Sequence, residues 1–128
     1  MKVVSLLKPD IVINNQIPAI KKEITKRLWK IKRSKMVNVD KEFLEKFYSD
    51  YINEWFFEKN IVPNMTEAPI IILEIETNDN VKDFKNITNI KEDIRKIFAK
   101  NKSKNSIHVS DSEEAVKKEY DIIKKYFD

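Results

Sequence analysis

The run Ile70–Ile75 constrains the fold of this chain more than any other feature. It follows Pro69 directly and holds four isoleucines and one leucine in six positions. Proline ends helices and β-branched residues favour strands, so the run predicts a strand. Three further segments predict partner strands, by apolar composition, by alternation, or by both. They are Val3–Leu7, residues 36–39 and residues 106–109.

The segments between these strands carry helical signals. Apolar residues recur at three- and four-residue steps from Ile17 to Ile31, with Asn14 and Asn15 as candidate caps and Pro18 in the first turn. Further helices are expected after Asp40, around residues 55–57, over residues 78–87, and after Ser110, with a face that includes Tyr120. Residues 88–104 show no clean period and predict a long basic loop with some helical character. The order is βαββαβ with extra helices, which predicts an α+β, ferredoxin-like fold whose antiparallel sheet is covered by helices.

Size and composition narrow the class of protein. A chain of 128 residues, 41% hydrophobic, has the length and apolar content of one globular domain spanning residues 1–128. It contains no cysteine, which excludes disulfides and thiolate chemistry. No apolar run approaches the 18 residues of a membrane span, and the first residues lack the pattern of a signal peptide, so a cytoplasmic protein is expected. The net charge of +4 is weak evidence for nucleic-acid binding, because the lysines alternate with acids.

Two sequence motifs carry the chemistry. His108 is the only histidine, and it lies in Asn105-Ser-Ile-His-Val-Ser-Asp-Ser112, while Lys8-Pro-Asp10 follows the first strand. The first motif resembles the Asn-Ile-Ile-His-Gly-Ser-Asp-Ser signature of nucleoside diphosphate kinases, and the second resembles the motif that opens those enzymes. Spacings agree as well, since Tyr48 follows Lys8 by 40 residues, and His108 follows Arg95 by 13 and precedes Glu119 by 11. The chain is therefore identified as a divergent, glycine-free member of that family.

This resemblance implies a role for each matching residue. His108 would take the γ-phosphoryl group from a nucleoside triphosphate and pass it to a diphosphate, with ping-pong kinetics. Glu119 and Ser110 would hold its ring, and Lys8 and Arg95 would neutralise the phosphates together with bound Mg²⁺. No metal site formed by the protein itself is predicted. The remaining nucleotide contacts implied by the resemblance are Tyr48 beside the histidine, Phe56 stacked on the base, Asn105 at the sugar, and Thr88 and Lys85 at the phosphates.

Two assignments stay open. Thr88 matches the phosphate-contacting threonine of the family if about three residues are deleted before it, whereas an ungapped count places Lys91 there. Lys82 competes with Lys85 for the position of the second phosphate-binding arginine. Partners implied by the resemblance are nucleoside di- and triphosphates and further copies of the chain.

The sequence departs from the family pattern at several positions. Val109 replaces the glycine after the histidine, Asn14 stands where an arginine is usual, and Lys96-Ile97 replaces Gly-Asp after Arg95. An active enzyme with valine at position 109 requires a backbone conformation there that any L-residue can adopt. The alternative function is a catalytically impaired nucleotide-binding or interaction module in a larger assembly, of which a ribonucleoprotein surface is one form.

Overall fold

The computed structural model describes residues 1–77, 83–102 and 104–127 of the chain. One four-stranded sheet forms its centre, and every adjacent pair of strands is antiparallel. The strands are β1 (Lys2–Leu7), β2 (Lys30–Val37), β3 (Ile70–Glu76) and β4 (Ile107–Val109), in the spatial order β2-β3-β1-β4. The predicted α+β fold with an antiparallel sheet is thereby confirmed.

In the described part of the chain, six α-helices connect or flank these strands. They are α1 (Pro9–Ile13), α2 (Ile17–Lys26), α3 (Lys41–Phe47), α4 (Val62–Thr66), α5 (Phe84–Phe98) and α6 (Glu113–Ile123). Short 3-10 turns follow α3 at Ser49–Tyr51 and α6 at Lys124–Tyr126, and a π-helical turn, Phe57–Ile61, precedes α4. No described helix has the length and apolar character needed to cross a membrane.

The hydrophobic core lies on both faces of the sheet because β1 and β3 are buried on both sides. Val3 and Leu7 of β1 join one cluster, which contains residues of α2 and α5. Val4 and Leu6 join the other, which contains residues of α3, α4 and α6. Burying these apolar side chains is the main driving force for folding. Strand β4 pairs with β1 at the edge of the sheet opposite β2. The two central strands therefore fix its position.

The structure corrects the predicted start of the chain. Lys8-Pro9-Asp10 begins a helix, α1, with Pro9 in its first turn, where the missing proline N–H costs nothing. Asn14 ends that helix, and Gln16 precedes the next one, so neither predicted asparagine cap is used. The second helix ends at Lys26, and Ile31 belongs to β2. That strand begins at Lys30, well before the predicted residue 36. The prediction was late because the basic residues of this exposed sheet edge give no strong apolar signal.

Most of residues 88–104, predicted as a long loop with some helical character, form a regular helix in the structure. Helix α5 runs from Phe84 to Phe98, with the side chain of Asp83 accepting a hydrogen bond from the backbone N–H of Asn86. The helix buries Ile87, Ile94 and Phe98, and the charged residues between them obscure this narrow apolar face in the sequence. The predicted helix over residues 78–87 is confirmed only from Phe84, since residues 78–82 lie outside the described part.

Helix α6 begins two residues later than the sequence predicts. Ser112, and not Ser110, is its N-cap and accepts from the backbone N–H of Ala115. The predicted apolar face is also wrong at Tyr120, which is 41% exposed, whereas Glu119 and Ile123 are buried. Ser110 therefore does not cap α6, and Glu119 takes a buried position on it. Both side chains can contact the neighbouring strand.

Candidate active site

His108 lies in the middle of β4, with its side chain partly exposed at the edge of a cavity. Its Nε2 lies 2.9 Å from Oε1 of Glu119, a buried carboxylate on α6. The same oxygen accepts a 2.8 Å hydrogen bond from the hydroxyl of Ser110, whose Oγ in turn accepts from the backbone N–H of Val4. A neutral imidazole that donates through Nε2 keeps its lone pair on Nδ1. The arrangement therefore leaves Nδ1 as the nucleophilic nitrogen.

Aromatic rings hold the imidazole from the side of α3. The ring of Phe47 meets it edge-on with centroids 5.0 Å apart, and Tyr48 does so at 6.2 Å. The hydroxyl of Tyr48 is buried and has no hydrogen-bond partner among the described residues. Burial, with a smaller contribution from Glu119, raises the pKa of this hydroxyl, so Tyr48 stays a neutral donor. It is available to a ligand that reaches the imidazole.

Lys8 lies at the start of α1, on the wall shared by two neighbouring cavities. Its ammonium donates to Oδ1 of Asn105 at 2.6 Å. Burial is the largest cause that lowers the pKa of Lys8 to about 8, and the positive charge of Arg95 adds to it. Two cations held close together in a partly buried place favour an anion between them.

Arg95 lies on α5 and points back towards β4. Its Nε donates to the carbonyl of Ile107 at 2.9 Å, directly before His108, and its Nη1 lies 3.3 Å from Oε1 of Glu92. Burial lowers the pKa of Arg95, which nevertheless remains charged because free guanidinium groups titrate so high. Lys91, one turn earlier, joins Arg95 on the same cavity wall.

An unusual backbone turn joins Asn105 to β4. Ser106 has a φ of 74°, and the N–H of Ile107 donates to the carbonyl of Asn105 at 2.9 Å, which is the pattern of a γ-turn. The backbone N–H of Lys8 donates to the carbonyl of Ser106. This turn sets Asn105 beside the Lys8 ammonium. Val109, in contrast, has an ordinary strand backbone and is not among the residues with positive φ, as an active enzyme would require.

Two adjoining cavities share Lys8, Tyr48 and Tyr51. The polar cavity, about 450 Å³, is lined by His108, Glu119, Arg95 and Lys91, with further acidic groups such as Asp111. The aromatic cavity, about 490 Å³, is lined by Phe56 and Trp55, with Asn105 at the end near Lys8. One cavity thus offers cations and a nucleophile, and the other offers flat rings. A ligand with an anionic end and an aromatic end can occupy both.

Most of the predicted site residues meet at these cavities. Those that line one or both are Lys8, Tyr48, Phe56, Arg95, Asn105, His108 and Glu119. Ser110 lines neither cavity, but its hydroxyl donates a hydrogen bond to Glu119. Thr88 and Lys85 lie on α5 and line neither cavity. Lys91 does line the polar cavity, which favours it over Thr88 at the position left open by the sequence. Lys82 lies outside the described residues.

Sequence reasoning missed several residues that line the aromatic cavity. Asn60, Asn64 and Lys102 belong to its wall, and Trp55 stands at its mouth with 72% of its surface exposed. The sequence did contain a signal for the asparagines, because Phe56, Asn60 and Asn64 are spaced by four residues. That spacing places side chains on one helical face.

The described residues offer no group of three or more histidine, cysteine or acidic side chains that could hold a metal ion. Mg²⁺ in phosphoryl-transfer sites is bound by one or two carboxylates, water and the phosphates of the nucleotide. The polar cavity contains carboxylates of this kind, including Asp50 and Asp111. The residues present therefore fit a magnesium ion that arrives with the nucleotide.

Comparisons with known proteins agree with the fold and with the family resemblance of the sequence. The sequence profile described as Nucleoside diphosphate kinase matches residues 2–127. The chain is 35% identical over 122 residues to the nucleoside diphosphate kinase of Histophilus somni (strain 2336), covering 90% of this chain and 86% of that protein. It is also 35% identical over 127 residues to that of Sulfurisphaera tokodaii, with 94% and 86% covered.

Solved structures give the same result. The nucleoside diphosphate kinase of Aquifex aeolicus superposes with a TM-score of 0.79 at 26% identity, covering 95% of this chain and 93% of that one. A halophilic enzyme of this name from Halobacterium salinarum, solved in complex with CDP, superposes with a TM-score of 0.80 at 21% identity. Its lower identity makes it evidence for the fold alone.

Proposed function

This chain belongs to the nucleoside diphosphate kinase family, and we propose that His108 carries the phosphoryl group between its two nucleotides. The protein is a phosphotransferase with nucleoside diphosphate kinase function. The observation that carries the proposal is the contact of Nε2 with Glu119, which leaves Nδ1 free for the nucleotide at the edge of a cationic cavity. A covalent histidine intermediate explains how one site can serve both donor and acceptor.

The reaction proceeds in two transfers that mirror each other. The lone pair on Nδ1 of His108 forms a bond to the γ-phosphorus, and the bond from that phosphorus to the bridging oxygen breaks. The nucleoside diphosphate departs with the bridging oxygen and the electron pair of the broken bond. A second nucleoside diphosphate then enters, its terminal phosphate oxygen attacks the phosphorus, and the N–P bond breaks. His108 returns to its neutral state, so the kinetics are ping-pong.

Glu119 and Ser110 support the imidazole throughout. The carboxylate accepts from Nε2, which fixes the tautomer and balances the positive charge that develops on the ring. Ser110 donates to the same oxygen and keeps the carboxylate in place. Because the backbone N–H of Val4 donates to the Ser110 hydroxyl, this support begins at the central strand β1.

The cations of the polar cavity would neutralise the phosphates. Lys8 and Arg95 line its wall, and Lys91 adds a third positive charge. Bound Mg²⁺ supplies further neutralisation of the phosphate oxygens. Phosphoryl transfer depends chiefly on such positioning and charge stabilisation. The base of the same nucleotide would lie in the aromatic cavity against Phe56, since the two cavities are continuous at Lys8 and Tyr48.

We also propose that the protein works as a homo-oligomer in the cytoplasm. Family membership supports the homo-oligomer, because the family resemblance implies assemblies of a shared side-by-side dimer. The long edge strand β2 has one unpaired side among the described residues, as an interface between copies would need. Light scattering or analytical ultracentrifugation of the full chain measures the mass, and a purely monomeric mass would contradict this part.

The test of the proposed function is incubation of the purified protein with [γ-³²P]ATP and Mg²⁺. We expect label on the protein that is lost in acid, survives base, and moves to added GDP or CDP. His108→Ala should remove the label entirely, because the chain has no second histidine and no cysteine.

The matched control is Lys96→Ala, an exposed substitution on α5 outside both cavities, which should label like the wild type. Label that persists in His108→Ala would contradict the role of His108. Nucleotide binding without any transfer, in a wild-type protein that is folded, would instead favour the interaction-module alternative.

A further inference from the structure

Besides Asn105, which contacts Lys8, the aromatic cavity contains two side-chain amides that stacking alone does not require. Asn60 and Asn64 both line it, beside Phe56. Both side chains are half-buried, and neither amide has a hydrogen-bond partner among the described residues. An amide placed on the wall of a largely apolar cavity loses contact with water when a ligand fills that space, so it must find a partner on the ligand.

The local backbone explains why both amides reach one cavity. In a regular α-helix, a step of four residues drifts by about 40° around the axis, so three such positions spread apart. Here Phe57–Ile61 form a π-helical turn directly before α4. The wider turn opposes the drift and keeps Phe56, Asn60 and Asn64 on one wall. Turns of this type are frequent at functional sites.

We propose that Asn60 and Asn64 contact the edge of the base that stacks on Phe56, and that they make this enzyme selective for purine nucleotides. The inference rests on the proposed function, since it assigns the occupant of the same site. Each amide offers one donor group and one acceptor oxygen, the pair that matches the hydrogen-bonding edge of a base.

Purines fit two amides better than pyrimidines do. Neighbours four residues apart on a helix have Cβ atoms about 5–6 Å apart, so they contact separate parts of the base. A purine presents polar atoms on two adjacent edges away from the sugar, including N7, whereas a pyrimidine lacks the second edge. Lys102 lines the same cavity and supplies a further donor suited to N7 or to the O6 of guanine. A pyrimidine would leave one of these half-buried amides without a partner on the ligand.

The experiment measures kcat/KM for ADP, GDP, CDP and UDP as acceptors with one common phosphoryl donor. Equilibrium binding of the same four Mg²⁺ complexes is measured by calorimetry. We expect purines to be preferred by about tenfold in both measurements. Asn60→Leu and Asn64→Leu, which keep a similar volume, should each narrow this preference, mainly by weakening purines.

Asn53→Leu is the matched control, because Asn53 is an exposed asparagine in the same segment and lines neither cavity. It should leave the preference unchanged. Equal use of all four bases by the wild type, or an unaltered preference in both leucine variants, would overturn the proposal.

The calorimetric measurement separates this proposal from the proposed function. A protein that binds purines more tightly but transfers no phosphate would contradict the kinase mechanism and support the roles of Asn60 and Asn64. A protein that transfers phosphate equally to ADP, GDP, CDP and UDP would support the kinase mechanism and contradict the roles of Asn60 and Asn64. If a leucine variant does not fold, the smaller changes Asn60→Ala and Asn64→Ala, which also remove the amide and add no charge, give the same comparison.

Discussion

Nε2 of His108 and Oε1 of Glu119 are 2.9 Å apart, and this contact joins the edge strand β4 to helix α6. The two residues are separated by a turn and by the first half of the helix, yet the strand and the helix both pack on β1. The imidazole is therefore oriented by the core of the fold and not by a loop. Such support favours precise geometry at a reacting group.

Replacing the carboxylate tests this support. Glu119→Gln keeps the shape of the side chain but removes its negative charge, so the developing charge on His108 is no longer balanced. We expect the rate of phosphoryl transfer to fall about 10- to 100-fold, with nucleotide binding little changed. Single-turnover labelling measures the rate. Asp121→Asn, an exposed change on the same helix, is the control; equal rates in both variants would exclude a role for the Glu119 charge.

Nucleotide binding should be sensitive even to the replacement of Arg95 by lysine. The Nε of the Arg95 guanidinium donates to the carbonyl of Ile107, and the rest of the group faces the polar cavity. The single ammonium of a lysine lacks the planar fork of donors that serves both directions. We expect Arg95→Lys to raise the KM for nucleotides about tenfold, the value of roughly one charge-assisted hydrogen bond. Steady-state kinetics with MgATP and GDP measure this. Lys96→Arg, one residue further along the helix, should change KM by less than about twofold, because its side chain lies outside the cavity.

Nucleotide affinity should fall as the pH rises above 8. The pKa of Lys8 is lowered to about 8 in the free protein, mainly by burial, so its ammonium loses its proton above that pH and attracts phosphate less. Calorimetric titration with MgADP from pH 6.5 to 9.5 measures the change. Lys8→Arg keeps its charge over this range and should bind with an affinity that does not depend on pH there. An identical pH profile in the variant would assign the effect to another group.

The same pKa predicts how Lys8 affects stability. The pKa of this lysine is lower in the folded protein than its usual value of 10.5, so between about 8 and 10.5 the unfolded chain binds more protons. Stability contributed by this group therefore rises with pH in that window. Urea unfolding of the wild type and of Lys8→Met at pH 7.5 and 9.5 measures it. The wild type should gain more on going to the higher pH than the variant does.

Val109→Gly should lower stability markedly. Val109 is buried, with 2% of its surface exposed, and its backbone has no positive φ that a glycine would relieve. Loss of the buried side chain and the added chain freedom together cost about 2–4 kcal/mol. Urea denaturation measures this, with Val109→Ala as the control for the side chain alone. An increase in stability would mean that the valine strains the site.

Leu28→Gly should instead raise stability. Leu28 follows the C-terminal end of α2 with a φ of 67°, and its side chain is 67% exposed. Glycine removes the clash of Cβ in this conformation, and the greater freedom of the unfolded chain offsets part of the gain. We expect a net increase of about 0.5–1 kcal/mol with unchanged enzymatic activity. Leu28→Ala retains Cβ and should give no increase.

Local signals predicted some elements well and others poorly. The strand at Ile70–Glu76 and the cap at Asp40 were predicted because a dense apolar run and a capping side chain act over a few residues. Helix α5 was predicted only as far as Ile87, because only three of its residues are buried and polar and charged residues cover most of the rest of its surface. Strand β2 was placed too late for a similar reason, since an edge strand needs few apolar residues.

The sequence by itself determined which chemistry is present. A lone histidine, its spacing to Arg95 and Glu119, and the Lys8-Pro9-Asp10 motif were enough to indicate the family, because the types and order of these residues are written in the chain. The roles of the individual residues stay predictions. Only the tertiary structure decided which of them meet: Lys91 and not Thr88 lines the polar cavity, and Asn60 and Asn64 line the aromatic one. The placement of Lys91 beside His108 depends on the pairing of β1 with β4 and on the packing of helices on both faces of the sheet, and long-range contacts of this kind leave no periodic signal in the sequence. The two asparagines do share a local four-residue spacing, but only the structure shows that this helical face lines a cavity.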